Sequence, residues 1–500
     1  MTHCPDPRAP QTAAAPGFDS GFCAVRARRL ILIAAILGSS MSFIDGTVVA
    51  IAIPAIRGSL GASLTEVTWI NNAYMLISSA LILVGGAAGD RFGLARVFAG
   101  GIVVFILASL ACAVAPGAEF LIWARAAQGF GAALMIPGSL AIIARAYPEE
   151  DRGRAIGIWA AASALTTSLG PIVGGVALSL GGPDMWRWIF AVNLPIGLVA
   201  LWLIQRAVEE DRSQPDRGLD LLGAALAVLG LGLLAWALST EGGGEVSGRA
   251  LFAVAGAVVL VVFLVIETRT AQPMLDLGLF ASRSFSAANL LTFFLYFSLS
   301  AILFFLPMTV ISTWGVTEAE ASAAFVPISV FIAALSAFSG RLADRFGPGP
   351  PIALGAALVA MAFAGLGATA PAQNFWGLVI PLMCLMGLGM ALVVAPLSAA
   401  VMGDVAPDRT GAASGINNAV SRTSGLVAVA AMGGVAAAAY GMSGGPDSFG
   451  ASRADAAHIA ASTAAFATIA WITAALSAVS AGIAWVGIDR KRPAPAESTK

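Results

Sequence analysis

Charged residues are scarce in this sequence of 500 residues, of which only 11% are Asp, Glu, Lys or Arg. Soluble domains carry about 25%. Hydrophobic residues make up 58%, and a soluble protein with so much apolar surface would aggregate. The net charge of −1 argues against nucleic-acid binding, which needs a basic face. We therefore predict a protein that lies in a lipid bilayer and has no nucleic-acid partner.

Histidine and cysteine are also rare, with two and four residues respectively. The cysteines show neither CxxC nor paired spacing, so we predict no disulfide and no metal site. No nucleophile–His–acid set and no G-x-x-x-x-G-K-[ST] phosphate-binding motif is visible. An enzyme and an ATP-driven pump are therefore disfavoured, and no cofactor is expected. The residues concerned are His3, His458, Cys4, Cys23, Cys112 and Cys384.

No secretory signal peptide is recognisable at the start of the sequence. Residues 1–29 are rich in Pro, Ala and polar residues, and the apolar run that begins at Leu30 is too long for a signal-peptide core. We predict a disordered cytoplasmic tail at 1–29 and a second cytoplasmic tail at 487–500.

Long apolar runs are what the sequence has in abundance. A helix needs about 20 apolar residues to cross a bilayer, and fourteen runs reach this length. We therefore predict an all-α membrane protein with fourteen transmembrane helices. They are expected at 30–54, 67–88, 97–115, 120–144, 155–180, 187–206, 219–239, 250–267, 286–311, 321–342, 351–370, 375–402, 412–438 and 461–486.

The distribution of Lys and Arg predicts the orientation. With the N-terminus in the cytoplasm, 21 of the 27 basic residues fall in cytoplasmic segments, four fall outside and two lie within spans. This bias obeys the positive-inside rule, and one missed span would have inverted every later loop. We predict an integral protein of the bacterial cytoplasmic (inner) membrane with both termini in the cytoplasm.

An internal repeat divides the chain. Residues 86–93 read GAAGDRFG after the second run, and residues 340–347 read GRLADRFG after the tenth. The repeat predicts two six-helix bundles at 30–210 and 286–486, with an inserted helix pair at 219–267. Transporters are commonly built from such repeats, with the substrate site at their interface near the middle of the bilayer.

Six motifs in the correct order resemble the major facilitator superfamily, in particular its fourteen-span drug:proton antiporter family of multidrug exporters. They are GRLADRFG (340–347), LIWARAAQGFGAA (121–133), LGPIVGG (169–175), FIDGTVVAIAIP (43–54), WRWIFAVNLPIG (186–197) and GAASGINNAVSRTSG (411–425). The resemblance covers nearly all of residues 30–486. The chain departs from the family patterns at Ala88 and Gly89 in the first loop copy, at Thr166 and at Ala50.

Asp45 is the first candidate for proton coupling, because an ionisable residue inside a membrane is a functional candidate by default. Burial favours the protonated form of a carboxyl group and a nearby cation favours the ionised form, so a carboxyl that changes environment can carry a proton. Arg125 is the candidate partner, about 9 Å nearer the outside by residue counting, and the resemblance also implicates it in proton coupling. The alternative for both is structural pairing between spans.

The resemblance implies two further elements. One is a gate in span 5 that favours antiport, for which a small-residue packing face is the plain alternative. It comprises Gly170, Pro171, Gly174 and Gly175. The other is a cytoplasmic latch between spans, for which a solvated turn is the alternative. Its residues are Gly86, Asp90, Arg91, Gly93, Gly340, Asp344, Arg345 and Gly347.

Polar side chains in or near the spans are candidates for a substrate cavity, although such amides usually bond helix to helix. These residues are Asn71, Asn72, Tyr74, Gln128, Asn193, Asn289, Asn417, Asn418 and Arg422. The second half has no acid deep within a span, so a mostly neutral cavity would suit neutral or lipophilic cationic compounds.

The leading hypothesis is a proton-coupled antiporter that exports small organic compounds, such as drugs, antibiotics or lipophilic toxic metabolites, by alternating access and as a monomer. Its partners are then a small organic substrate, protons and lipid. The alternatives are a proton-coupled nutrient or metabolite importer, which the span 5 motif disfavours, and a non-transporting membrane sensor, which has little need of Asp45 or Arg125.

Overall fold

A computed structural model describes residues 25–208, 218–239, 246–270, 272–403, 405, 409–452 and 455–488. All regular structure in these ranges is helical, with sixteen α-helices, four short 3-10 helices and one π-helical turn. The tails predicted at 1–29 and 487–500 lie mostly outside the described residues, as do Asp404 and Arg453.

The first seven α-helices follow one another with short connections. The second begins with a capping box, in which Ser63 and Glu66 satisfy each other's backbone N–H groups. The sixth and seventh are one membrane span with a break at Val192. The bounds are α1 Val25–Leu60, α2 Leu64–Phe92, α3 Leu94–Ala113, α4 Ala118–Ala146, α5 Glu149–Gly181, α6 Trp186–Ala191 and α7 Asn193–Ala207.

The remaining nine helices contain a pair and a second group. The span that begins at Glu318 is divided between α11 and α12 by a 3-10 turn at Ala323–Phe325. The bounds are α8 Leu221–Ser239, α9 Val246–Glu267, α10 Arg283–Thr313, α11 Glu318–Ser322, α12 Val326–Phe346, α13 Gly349–Thr369, α14 Ile380–Gly403, α15 Thr410–Met442 and α16 Ala456–Gly487.

The prediction of fourteen spans is confirmed, because fourteen segments of the described chain are long and apolar enough to cross a bilayer. Most of the spans are longer than the apolar runs from which they were predicted; the span at Leu221–Ser239 is two residues shorter. The first ends at Leu60, whereas the first run ends at residue 54. Apolar runs mark the hydrocarbon core, and helices continue into the polar interface beyond it.

The helices pack as two groups and a pair. Helices α1–α7 contact one another, and α10–α16 do the same. The pair α8–α9 lies against α2 and α15, so α8 covers the seam where one group meets the other. Ala235 of α8 packs there with Leu76 of α2 and Leu426 of α15.

Two polar contacts between the groups lie at one end of the bundle. We name this end the opposite face, and it contains Leu60, Thr313 and Met442; the N-terminal face contains Phe92 and Arg283.

At the opposite face, the backbone N–H of Ala319 donates to Ser179 Oγ at 3.0 Å. Arg57 of α1 also donates there to the carbonyl of Phe449 in the second group. Nearer the N-terminal face, Gly157 of α5 and Gly340 of α12 have no foreign atom within 4 Å of the position of a Cβ. Neither glycine therefore packs against a neighbouring helix among the described residues.

Candidate functional site

Asp45 lies near the middle of α1, about 30 Å along the helix from Val25 at 1.5 Å per residue. Its side chain is 1% exposed. An ionised carboxylate at this depth requires a cation and hydrogen-bond donors, since burying a lone charge is strongly unfavourable.

Arg125 of α4 supplies the cation. Its Nη1 forms a fully buried ion pair with Asp45 Oδ2 and also donates to Gln128 Oε1 at 2.6 Å. Its Nε donates to the carbonyl of Ile70 at 3.1 Å, and the guanidinium lies 4.4 Å from the centre of the Tyr74 ring. Arg125 therefore joins α4 to both α1 and α2.

Residue counting separated Asp45 and Arg125 by about 9 Å along the membrane normal, yet the structure places them in direct contact. The long arginine side chain reaches across that difference in depth. The close approach of α4 to α2 helps to position it, because a Cβ on Gly129 would lie 2.6 Å from the Tyr74 carbonyl oxygen. Gly129 thus allows the backbone contact beside Arg125.

Gln128 extends the ion pair into a hydrogen-bond network. Its Nε2 donates to Asp45 Oδ1 at 3.0 Å and to Ser109 Oγ at 3.2 Å. Ser109 also accepts from Asn193 Nδ2 at 2.9 Å and donates to the Phe190 carbonyl at 2.9 Å. The hydroxyl of Ser109 is therefore fully used as one donor and two acceptors. The network connects α1, α3, α4, α6 and α7.

Ser109 was not among the residues singled out from the sequence. A serine in an apolar span is usually satisfied by its own helix, so its type gives little signal. Cys112, one turn from Ser109, provides a weak signal. Its Sγ lies 3.8 Å from Gln128 Oε1.

Several buried polar atoms beside the network have no hydrogen-bond partner among the described residues. They include Arg125 Nη2, Asn193 Oδ1 and both side-chain polar atoms of Asn72. Unpaired buried groups are uncommon in folded proteins, and they often mark functional sites. The network thus retains unused donors and acceptors beside the ion pair.

The span 5 motif has two packing partners. Gly170 and Gly174 pack on α1, where their Cβ atoms would lie 3.1 Å from Ile44 Cα and 2.2 Å from Val48 Cγ2. Only Gly175 faces the second group, with a Cβ position 2.5 Å from the Glu318 carbonyl oxygen. The reason is helix geometry, because Gly170 and Gly174 share a face and Gly175 is rotated by about 100°.

Pro171 lies within α5, beside Gly170. Helices α1 and α5 are also joined by Thr47, whose Oγ1 donates to the Thr167 carbonyl at 3.1 Å. Thr47 follows Asp45 by two residues, so α5 is held against the segment of α1 that carries the carboxylate.

The two copies of the loop motif have matching geometry at the N-terminal face. Each ends its helix at a glycine with positive φ, 104° at Gly93 and 79° at Gly347. Arg91 lies 5.4 Å from the Phe92 ring centre, and Arg345 lies 5.2 Å from that of Phe346.

The remaining residues of the motif are less enclosed. Asp90 is partly buried, whereas Asp344 is exposed. The Cβ position of Gly86 is 3.7 Å from its nearest foreign atom, and that of Gly340 has none within 4 Å. Their role as a latch stays a prediction.

Most of the predicted cavity residues are enclosed in this conformation. Asn71, Asn72, Tyr74, Gln128, Asn193 and Asn289 are all buried. Tyr74, Gln128 and Asn193 belong to the surroundings of the ion pair and do not line an open surface here, because neighbouring helices cover them.

In α15, Asn417 Nδ2 donates to Asn289 Oδ1 at 3.2 Å and to Thr292 Oγ1 at 3.0 Å. Asn418 is exposed and donates to the Ser414 carbonyl, and Arg422 is partly buried. Among the described residues, no group of three His, Cys, Asp or Glu could hold a metal ion.

Fourteen bilayer-length helices in two groups, with an ion pair buried halfway through the membrane, define an integral membrane protein with a transporter fold. Solved transporters share this fold. The inward-open xylose transporter XylE from E. coli matches with a TM-score of 0.63 and 16% identity over 93% of this chain and 97% of its own. A bacterial homologue of the human lysosomal transporter Spinster, in an inward-facing conformation, matches with a TM-score of 0.64 and 17% identity over 93% and 97%.

The chain belongs to the Major Facilitator Superfamily, whose family profile matches residues 35–429 and 288–500. Its relatives include the methylenomycin A resistance protein of Streptomyces coelicolor, 33% identical over 79% of this chain and 83% of the relative. The tetracenomycin C resistance and export protein of Streptomyces glaucescens is 31% identical over 80% of this chain and 74% of the relative. The probable actinorhodin transporter of Streptomyces coelicolor is 34% identical over 81% and 72%. The resemblance to a family of drug exporters is thus confirmed, and the protein is a transporter, not an enzyme.

Proposed function

We propose that this transporter exports small organic compounds from the bacterial cytoplasm in exchange for protons. The observation that carries the proposal is the buried contact of Asp45 with Arg125 and Gln128 in the middle of the membrane. A carboxylate that is paired in one state can take up a proton when the cation moves away, and a protonated carboxyl no longer holds the guanidinium. Export is further supported by relatives whose names denote drug resistance and export.

A chain of contacts leads from the proton site to the contact between the two groups. Asp45 lies between Ile44 and Val48 of α1, which pack on the glycines of α5. The same helix carries Gly175 against Glu318 of the second group. A change of charge at Asp45 therefore acts on the helix that closes the opposite face. Alternating access requires such coupling between the ion site and the closed contact.

The orientation forms part of the proposal. The N-terminal face is cytoplasmic, because the predicted loops on that side carry most of the basic residues. The conformation described here has contacts between the two groups at the opposite face, so alternating access assigns its opening to the cytoplasmic side. The segments 30–210 and 286–486 act as the two halves, the pair 219–267 seals their seam, and the loop motifs latch the cytoplasmic side when it closes.

The test is efflux of the neutral lipophilic dye N-phenyl-1-naphthylamine from cells, with and without a protonophore. Wild type should export the dye only without the protonophore. Asp45→Asn should reduce export to the level of cells that lack the transporter, because the amide cannot exchange a proton. Asp276→Asn is the matched control, since this exposed carboxylate pairs with Arg409 at 3.3 Å outside the spans.

Protonophore-sensitive export by Asp45→Asn at the wild-type rate would refute proton coupling through Asp45. Accumulation of a labelled metabolite in wild-type cells would support the importer instead. Absence of any flux, together with tolerance of substitutions at both Asp45 and Arg125, would support the sensor.

A further inference from the structure

Three charged residues in the described chain lie at least seven residues from both ends of their helix: Asp45, Arg125 and Arg422. Asp45 and Arg125 neutralise each other in their ion pair. Arg422 therefore leaves the middle of the protein with one positive charge in excess. An uncompensated cation in a low-dielectric region is costly, and intramembrane cations normally pair with anions.

Arg422 faces the other group of helices. It lies seven residues after Gly415 and eleven before Gly433, two and three turns away on the same side of α15. A Cβ on Gly415 would lie 3.0 Å from Leu83 of α2, and one on Gly433 would lie 3.2 Å from Thr68 of α2. Arg422 thus projects towards α2, at a depth between those two contacts.

Among the residues that the structure describes, no group compensates this cation. Arg422 forms no hydrogen bond and no ion pair with any residue that the structure describes. Arg422 is partly exposed, unlike the fully buried Arg125. Its guanidinium therefore keeps donors that a ligand in the interface can reach.

An aromatic side chain lies at the same depth on α10. Thr292 accepts a hydrogen bond from Asn417, and Ser300 lies 3.0 Å from the Cβ position of Gly425. Tyr296 is one turn from each of them, so it lies on the same side of α10, level with Arg422. A cation and an aromatic side chain at the same depth of the interface suit a ligand that has an acidic group on an apolar body.

We infer that Arg422 binds the acidic group of an exported organic anion, such as a carboxylate, phenolate or sulfonate attached to an apolar ring system. This inference rests on the proposed export function and names its substrate class. The expectation of neutral or lipophilic cationic substrates considered the lack of acids in the second half, and the excess cation adds organic anions to that range. An anion in the interface supplies the charge that Arg422 lacks, and guanidinium forms paired hydrogen bonds with carboxylates and similar groups.

The test compares two probes with the same ring system: 1-anilinonaphthalene-8-sulfonate, which is an anion, and neutral N-phenyl-1-naphthylamine. Equilibrium dialysis measures their binding to the full chain in lipid discs, with protein-free discs as the blank. Wild type should bind the anion more tightly than the neutral probe. Arg422→Gln should lower the ratio of anion to neutral affinity about tenfold or more, since hydrogen bonds to charged groups are the strong ones. Arg422→Lys should retain part of the preference for the anion, because it keeps the positive charge.

Arg409→Gln is the matched control, because it removes an arginine at the start of the same helix that is 55% exposed. Equal binding of the two probes by wild type, or an unchanged ratio in Arg422→Gln, would overturn the inference. A purely structural role would lower both affinities alike and leave the ratio constant.

Uptake of the two probes into everted membrane vesicles separates the two proposals. Export in the cell corresponds to uptake into such vesicles. A charge-dependent binding ratio without protonophore-sensitive uptake would contradict proton-coupled export while sustaining the anion site. Protonophore-sensitive uptake of the neutral probe without a charge-dependent binding ratio would contradict the anion site while supporting proton-coupled export.

Discussion

The two groups of helices share a turn but differ in their interiors. Both copies of the loop motif end at a glycine with positive φ. Inside the first group, Asp45 is held by an arginine and a glutamine in a network that joins five helices. Inside the second group, Asn417 bonds to Asn289, and Arg422 has no acidic partner among the described residues. The two groups therefore have the same turn at the end of the loop motif but different buried polar contacts.

The largest expected effect compares the two central arginines. Arg125→Met leaves Asp45 as a buried unpaired carboxylate and should lower the free energy of unfolding by about 3–5 kcal/mol. Arg422→Met removes a cation that has no ion-pair partner, so stability should stay the same or rise. Denaturant unfolding in mixed micelles, followed by tryptophan fluorescence, measures both changes. Equal destabilisation by the two variants would mean that Arg422 has an anionic protein partner.

Gly175→Ala should change the conformation more than the stability. Its Cβ would lie 2.5 Å from the Glu318 carbonyl oxygen, so the contact at the opposite face must loosen. Such overpacking costs about 1–3 kcal/mol and acts only on the conformation that closes this face. Distances between spin labels on Leu60 and Met442 should therefore lengthen.

Gly157→Ala is the matched control for Gly175→Ala in the same helix, since its Cβ would meet no foreign atom within 4 Å. An identical distribution of label distances in the two variants would show that the Gly175 contact does not hold the opposite face closed.

A smaller difference is expected between two hydroxyls that serve as acceptors. Ser109→Ala removes the acceptor of Gln128 Nε2 and Asn193 Nδ2 inside a buried network and should cost about 1–3 kcal/mol. Thr292→Val should cost less, because Asn417 keeps its bond to Asn289. The same unfolding measurement compares them, and a larger loss for Thr292→Val would contradict the greater importance of the first network.

The number and depth of the helices could be predicted because a bilayer imposes a length on every apolar run. Depth along a span placed Asp45 and Arg125 about 9 Å apart along the membrane normal, a separation that the long arginine side chain bridges. Rotation about the helix axis could not be predicted, since these spans are apolar on most sides and show no clear polar face. The packing partners of Gly170 and Gly174 could therefore not be predicted from the sequence.

The contacts of short polar side chains could not be predicted from the sequence for a related reason. Ser109 joins the network because Phe190, Gln128 and Asn193 all converge on it, and this convergence depends on three other helices. A single serine in an apolar run does not indicate which residues surround it in the folded protein. The amides of Gln128 and Asn193 were noticed but assigned to a cavity, because a sequence does not distinguish a buried polar group from one that lines an opening.

The smallest expected effect concerns the turn that the two groups share, at Gly93 and Gly347. Gly93 and Gly347 adopt positive φ values with extended ψ, 130° and 163°, which side chains with a Cβ avoid. Gly93→Ala and Gly347→Ala should each lower the free energy of unfolding by about 1 kcal/mol. Because the backbone geometry is nearly the same, the two losses should agree, unlike those of Arg125→Met and Arg422→Met. Unfolding curves of the single variants test this directly. A loss confined to Gly93→Ala would mean that the shared turn, like the interior, has diverged between the two groups.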